Sequence, residues 1–246
     1  MSKVVLITGC SSGIGLSTAA YLAKQKNKVY ASMRDVSKKD DLVTQNSAVE
    51  ILQLDVTNDA SVQKAVTAII EKEGRIDVLV NNAGYGLMGA AETVTIEQAK
   101  AEFDVNFFGL LRVTQAVLPH MRKQGAGHIV NISSIAGLRG MACSELYNAS
   151  KFAVEGLTEA MAPTLALAGI KMSLIEPGPV STGFIDKGLQ KGTKLQDVEI
   201  YRTVMEKTTT LRNERFKDAQ QPEEIAAIIH EAITAEQPHL RYQTSV

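Results

Sequence analysis

The chain of 246 residues carries 26 Lys and Arg against 27 Asp and Glu, a net charge of -1, with 45% apolar and 22% charged residues. Near-neutral charge offers no basic field for a phosphate backbone, and 5% aromatic content without Trp offers no base-stacking platform, so nucleic acid is excluded as a partner. The length allows one large core that buries about 70% of the unfolded surface, and two cysteines, Cys10 and Cys143, are too few for a disulfide framework.

In chain order, the first apolar run, Val4 to Ile7, is too short for a signal-peptide core. No stretch approaches the ~20 apolar residues of a membrane span, so the sequence predicts a cytoplasmic protein with no membrane partner. Short buried strands are predicted at Val4 to Thr8, Lys28 to Met33, Ile51 to Asp55, Ile76 to Asn81, His128 to Ser133 and Lys171 to Glu176, with an extended tail at Leu240 to Thr244. Between them, Gly13 to Lys24, Ser61 to Glu73, Ile96 to Lys123 and Tyr147 to Ala168 carry helical periodicity, with Asn58 or Asp59 and Thr95 as N-caps. A last helix runs from Pro222 to Ala235. Alternation of strand and helix specifies an α/β fold, a doubly wound parallel sheet of about seven strands with helices on both faces.

No repeat or linker divides the chain, so residues 1 to 246 read as a single domain. Residues 181 to 221 lack a clear period over much of their length; a stretch this long in a compact domain reads as a lid, with a short helix near Val198 to Lys207. The four histidines show neither HExxH nor CxxC partners, so no metal site is expected.

Two constellations carry chemistry. Directly after the first strand, Thr8-Gly9-Cys10-Ser11-Ser12-Gly13-Ile14-Gly15 leads into a helix. A dinucleotide pyrophosphate needs such a tight turn, with bare backbone where phosphates approach and a helix N-terminus behind it. Farther on, Tyr147 and Lys151 lie four apart, one helical turn on one face, and Ser134 lies thirteen residues before Tyr147 at a strand end. Strand ends of such a sheet converge on one crevice, where Ser134 and Tyr147 face one substrate oxygen. A phenol with a reference pKa of about 10 needs roughly 3 units of lowering, about 4 kcal/mol, for proton transfer near neutrality. A cation about 4 Å away at an effective dielectric near 20 supplies that much, and Lys151 is the cation at hand.

With these residues in place the chain resembles the short-chain dehydrogenase/reductase family over essentially its whole length. TGCSSGIG matches its glycine motif, Asp55 with Val56 its adenine-side position, and Asn81-Asn82-Ala83-Gly84 its NNAG stretch. Asn106, Ser134, Tyr147 and Lys151 fill its tetrad, and Pro177, Gly178, Val180 and Thr182 match the stretch that holds the nicotinamide. The resemblance implies a Rossmann-type fold and an NAD(P)-dependent oxidoreductase that moves a hydride to or from a carbonyl or secondary alcohol. It implies Tyr147 as proton donor, Ser134 as the residue that polarises the oxygen, Lys151 as the cation that lowers Tyr147 and holds the nicotinamide ribose, and Asn106 as the residue that positions a water. GCSSGIG, VYASMRD and YNASKFAVEG are most similar to the hydroxysteroid and retinol dehydrogenase branch.

Asn106 interrupts a helical run, FDVNFFGLL, where Asn gains nothing from propensity, so a local distortion is expected there. At the end of the second strand Met33 stands where readers of unphosphorylated ribose place an acid, and Arg34 follows. Arg34 meets a phosphate with two charge-assisted hydrogen bonds, so NADP(H) is expected over NAD(H), with Asp35 as the competing acid. Leu87, Met88, Leu138, Met141, Cys143 and Phe184 form an expected apolar mouth. Apolar positions on more than one face of 103 to 118 and 152 to 168 predict a homodimer or homotetramer. Two other classes compete: a redox-sensing nucleotide-binding module without turnover, disfavoured by the intact tetrad, and a sugar-nucleotide epimerase or dehydratase, disfavoured by length and glycine spacing.

Overall fold

A computed structural model of the chain describes residues 2–39, 49–184, 189–193 and 198–244. Its strands are β1 (Val4–Ile7), β2 (Lys28–Met33), β3 (Glu50–Gln53), β4 (Val78–Asn81), β5 (Gly86–Met88), β6 (Gly127–Ile132), β7 (Ile170–Glu176), β8 (Leu189–Lys191) and β9 (Arg241–Gln243). The helices are α1 (Gly13–Lys24), α2 (Asp59–Glu73), α3 (Ile96–Phe103), α4 (Leu110–Gln124), α5 (Glu145–Ala166), α6 (Glu199–Arg215) and α7 (Pro222–Thr234). Seven strands form a parallel sheet in the order β3-β2-β1-β4-β6-β7-β9, and β5 pairs with β8 in a separate parallel pair.

Alternation along the strands explains the two layers. Val5, Ile7, Val29, Val78, Val80, Val130 and Ile132 point to one face and pack with Leu16, Ala19 and Leu22 of α1 and Ile225, Ile229 and Ile233 of α7. Val4, Leu6, Tyr30, Leu79 and Ile129 point to the other, against Val62, Val66 and Ile69 of α2 and Val113, Val117 and Met121 of α4. Each such side chain removed from water stabilises the sheet by about 1.5–3 kcal/mol. The switch in strand order between β1 and β4 opens a crevice at their carboxyl ends.

Local signals set the helix limits. Asn58 accepts a hydrogen bond from the Ser61 amide and Gly74 closes α2 in the left-handed conformation. Thr95 and Gln98 form a reciprocal capping box on α3. The expected single helix over 96 to 123 is three pieces: α3, a π-helical turn at Asp104–Gly109, and α4. That turn is the distortion expected at Asn106.

The stretch 181 to 221 carries more structure than the sequence predicts: β8, and a helix that continues to Arg215 rather than ending near Lys207. Residues 185–188 and 194–197 of that stretch lie outside the described residues. Beside β7, Arg241 on β9 binds the nearly inaccessible Glu176 at 2.8 Å and also Glu155 of α5. This shared guanidinium holds the chain immediately before Pro177 and Gly178.

Candidate active site

The turn from β1 into α1 is built around backbone that approaches too closely for side chains. Gly9 has φ +72°, and a Cβ there would meet Ala83 Cα at 2.7 Å; a Cβ on Gly15 would meet Asn82 Nδ2 at 2.4 Å and the Gly9 carbonyl at 2.6 Å. The Thr8 hydroxyl accepts from the amides of Asn82 and Ala83 at 3.0 Å each, and Asn82 Nδ2 donates to the carbonyls of Thr8 and Gly9 at 2.9 and 3.0 Å. The 82–84 segment is thereby fastened to the glycine turn. Thr182 packs against Gly13 from the far side. No Ser12 side-chain cap or first-turn acid occupies the N-terminus of α1, so Ser11, Ser12, Gly13 and Ile14 present an uncapped, positively polarised helix end. Bare glycine backbone facing such an end fits the pyrophosphate of a dinucleotide.

Asp55 lies just beyond β3, where its Oδ1 accepts from the Thr57 amide and hydroxyl at 3.0 and 2.7 Å. Val56 is buried against Gly109 of the π turn. Pro177, Gly178 and Val180 follow β7; Val180 also fills the core. Arg34 is exposed at the end of β2, and Asp35 turns its carboxylate onto the Ser37 amide and hydroxyl at 3.0 and 2.7 Å. The Ser37 hydrogen bonds hold Asp35 below the usual carboxylate range, with smaller help from the charges of Lys38 and Arg34 on the same turn.

Ser134 follows β6 at the next strand end. Its hydroxyl accepts from the Ala136 amide at 3.1 Å, donates to the Pro177 carbonyl at 3.4 Å, and lies near enough to the Tyr147 phenol to pull its pKa down against burial. Tyr147 and Lys151 leave one face of α5, and Lys151 Nζ lies 5.8 Å from the Tyr147 ring centroid while donating to the Ile132 carbonyl at 2.9 Å. Phe184 stands beside Tyr147, ring centroids 6.0 Å apart and tilted. Burial pushes Tyr147 up to about 12 despite Ser134, and pushes Lys151 down to about 8. In this structure the Lys151 ammonium bonds a carbonyl of β6 rather than the phenol oxygen, and desolvation dominates both groups.

Asn106 sits in the π turn with its amide fully engaged. Oδ1 accepts from the Tyr85 amide at 3.0 Å, and Nδ2 donates to the Tyr85 carbonyl at 2.9 Å and to Ser150 Oγ at 3.1 Å. Ser150 in turn donates to the Tyr147 carbonyl at 2.8 Å, which ties Asn106 to the first turns of α5. Below the sheet end, Asn81 Nδ2 donates to Asn131 at 2.9 Å and Asn131 to Thr158 at 2.8 Å, a buried chain that registers β4, β6 and α5.

Glu102 was not legible as part of this region. It is wholly buried one turn before Asn106, with Oε1 accepting from the Leu87 amide at 2.8 Å and Oε2 without a partner among the described residues. Burial pushes it up to about 8. The mouth is also revised. Leu87 is core, Leu138 is exposed, and Met88 packs with Cys143 and with Met205 from α6, a residue the sequence did not place there.

A parallel doubly wound sheet, a glycine turn at its switch point and a Ser, Tyr and Lys group at the adjoining strand ends define a nucleotide-dependent oxidoreductase architecture. Residues 3–191 match the short chain dehydrogenase family model, and the chain belongs to the short-chain dehydrogenase/reductase family of oxidoreductases. It is 40% identical to retinol dehydrogenase 8 of Bos taurus, with 99% of this chain and 81% of that protein covered. It is 41% identical to 17-beta-hydroxysteroid dehydrogenase type 1 of Homo sapiens, with 98% and 77% covered. A short-chain dehydrogenase from Streptomyces avermitilis superposes with a TM-score of 0.89 at 33% identity over 99% of this chain and 88% of its own. Family members with similar structures are seen with NAD, as in one from Burkholderia phymatum (TM-score 0.82, 29% identity, 98% and 88% covered), and with NADP+, as in a serine dehydrogenase (TM-score 0.82, 26% identity, 98% and 94% covered).

Proposed function

We propose that the chain is an NADP(H)-preferring oxidoreductase for a carbonyl or secondary alcohol on an apolar substrate. The observation that carries this reading is the convergence of Ser134, Tyr147 and Lys151 at the strand ends, with Lys151 beneath the Tyr147 ring, beside a turn shaped for a dinucleotide. The nicotinamide supplies or takes up the hydride when bound. Proton handling falls to the chain. Tyr147 gives its phenolic proton to the carbonyl oxygen, Ser134 orients that oxygen, and the Lys151 ammonium stabilises the tyrosinate left behind. Asn106, through Ser150, holds α5 in register with the 85–87 segment.

In this reading Gly9, Ser11, Ser12, Gly13, Ile14 and Gly15 cradle the pyrophosphate, and Asp55 and Val56 face the adenine. Asn82, Ala83, Gly84, Pro177, Gly178, Val180 and Thr182 bound the nicotinamide side together with Tyr147 and Lys151. Arg34, with Lys38 on the same turn and Asp35 occupied by Ser37, supports the choice of NADP(H). The apolar cluster of Met88, Cys143 and Met205, and relatives named for retinol and hydroxysteroid, support an apolar substrate.

Residues 1 to 246 form one oxidoreductase domain in this account, with 181 to 221 as its lid. Exposed Ile96, Phe108 and Phe152 around α3 and α5 support a homodimer or homotetramer. Two free, buried cysteines support a reducing, cytoplasmic location. Steady-state assays of retinoids, steroids, acyl ketones and sugars with both cofactors test the reading. Turnover of apolar carbonyls with NADPH supports it, and turnover confined to small polar substrates overturns it.

A further inference from the structure

Arg212 lies on the lid helix α6, two turns after Met205 and on the same face. Its Nη1 lies against Met88 Sδ, and its Nε is buried with no hydrogen-bond partner among the described residues. Arg212 forms no ion pair with a described carboxylate, and it is the arginine whose Nε is buried and unsatisfied among the described residues. It is a partly buried cation beside the apolar cluster of Met88, Cys143 and Met205.

That cluster belongs to the substrate side. The Gly89 amide donates to the Cys143 carbonyl at 2.8 Å, and Gly89 bridges Ser144, so the strand end below Arg212 is stitched to the segment that enters α5. Tyr147 is in the first turn of that helix. A guanidinium stays charged at any physiological pH and offers a planar fork of donors. Leaving such donors buried without an acceptor is costly, and an anionic oxygen pair removes that cost with two parallel hydrogen bonds. Burial lowers Arg212 from the usual range, in keeping with an uncompensated charge.

We propose that Arg212 is an anion-recognition residue at the substrate mouth, and that the substrate carries a carboxylate or phosphate ester on its apolar body, distal to the reacting carbonyl or alcohol. This rests on the reading of the Tyr147 region as the reacting end.

Calorimetry on the full chain saturated with NADP+ tests this, with decanoate, decyl phosphate and decanol as probes. The expected result is at least about tenfold tighter binding of one anion over decanol, a preference that falls to within about twofold in Arg212→Met and is partly kept in Arg212→Lys. The anion that binds more tightly identifies the source as carboxylate or phosphate ester. Equal discrimination in wild type and Arg212→Met, or none in wild type, overturns the proposal and leaves Arg212 as a stem that covers apolar surface. Thermal unfolding of each variant shows whether it folds, and Arg212→Gln serves in place of the Met variant if that one does not. A parallel assay compares reduction of a medium-chain oxo-acid with that of its methyl ester. Arg212-dependent anion binding without any carbonyl turnover would defeat the assigned reaction alone; turnover without acid preference would defeat the anion site alone.

Discussion

Lys151 stands 5.8 Å from the centroid of the Tyr147 ring and directs its ammonium to the Ile132 carbonyl rather than to the phenol oxygen. With Tyr147 held near 12 and Lys151 near 8, the group of the pair that titrates first as pH rises is the lysine. Carbonyl reduction is expected at full kcat/KM below about 8 and to fall above it as the ammonium is lost, with the apparent value belonging to the pair. Lys151→Met removes that limb along with most of the rate. A wild-type profile flat to well above 8 contradicts this assignment.

Glu102 carries the opposite kind of signature, one of stability. Its folded value, about 8, lies above the ordinary 4.5, so the folded state binds its proton more tightly. The contribution is complete below 4.5 and is lost as pH rises through about 8. His128, buried and pushed down to about 4, works the other way, losing stability as pH falls below 6.5. Urea denaturation of wild type and Glu102→Gln across this range isolates the carboxyl. Relative to the variant, wild type is expected to weaken by up to about 5 kcal/mol between the acid and alkaline ends. A constant difference at all pH values speaks against a buried, unpaired carboxyl.

The glycine turn makes a steric prediction. A methyl group on Gly15 would meet Asn82 Nδ2 at 2.4 Å and the Gly9 carbonyl at 2.6 Å, so it displaces the hydrogen bonds that fasten 82–84 to the turn. Gly15→Ala is expected to lose about 1–3 kcal/mol of stability and most cofactor affinity. Thermal unfolding and fluorescence titration with NADPH read both; unchanged values in both would show that the turn is looser than described.

In the proposed reading, cofactor choice rests on Arg34. A single exposed guanidinium, aided by Lys38, is expected to favour NADPH by about thirtyfold in kcat/KM, about 2 kcal/mol, and Arg34→Ala is expected to abolish most of that preference. The ratio of kcat/KM for the two cofactors in both proteins decides it. An NADH-preferring wild type, or an alanine variant with an unchanged ratio, defeats the assignment.

The sheet was legible because its strands are buried on both faces and read as near-continuous apolar runs, VVLI and VLVN among them. The tetrad positions and glycine turn were legible because residue type and spacing coincide there. Strands β5 and β8 were not, since three residues each leave no period to detect and LQK has no apolar face. The far half of α6 escaped for a related reason: TTTLRNER has few apolar residues, and Met205 is the buried residue of the helix. Glu102 and Arg212 carry no spacing or motif in the sequence that sets them apart from other charged residues. Only packing shows that each lies against β5, through the Leu87 amide and the Met88 sulfur.

The central claim is that the Tyr147 phenol delivers the proton. Tyr147→Phe keeps the ring against Phe184 and the surface beside the glycine turn, and removes only the hydroxyl that meets Ser134. Single-turnover oxidation of bound NADPH by an apolar ketone, measured beside NADPH affinity in wild type and Tyr147→Phe, tests this most directly. The account predicts affinity within about threefold and a rate lower by about a thousandfold or more. A variant that binds NADPH and oxidises it at near the wild-type rate would contradict it.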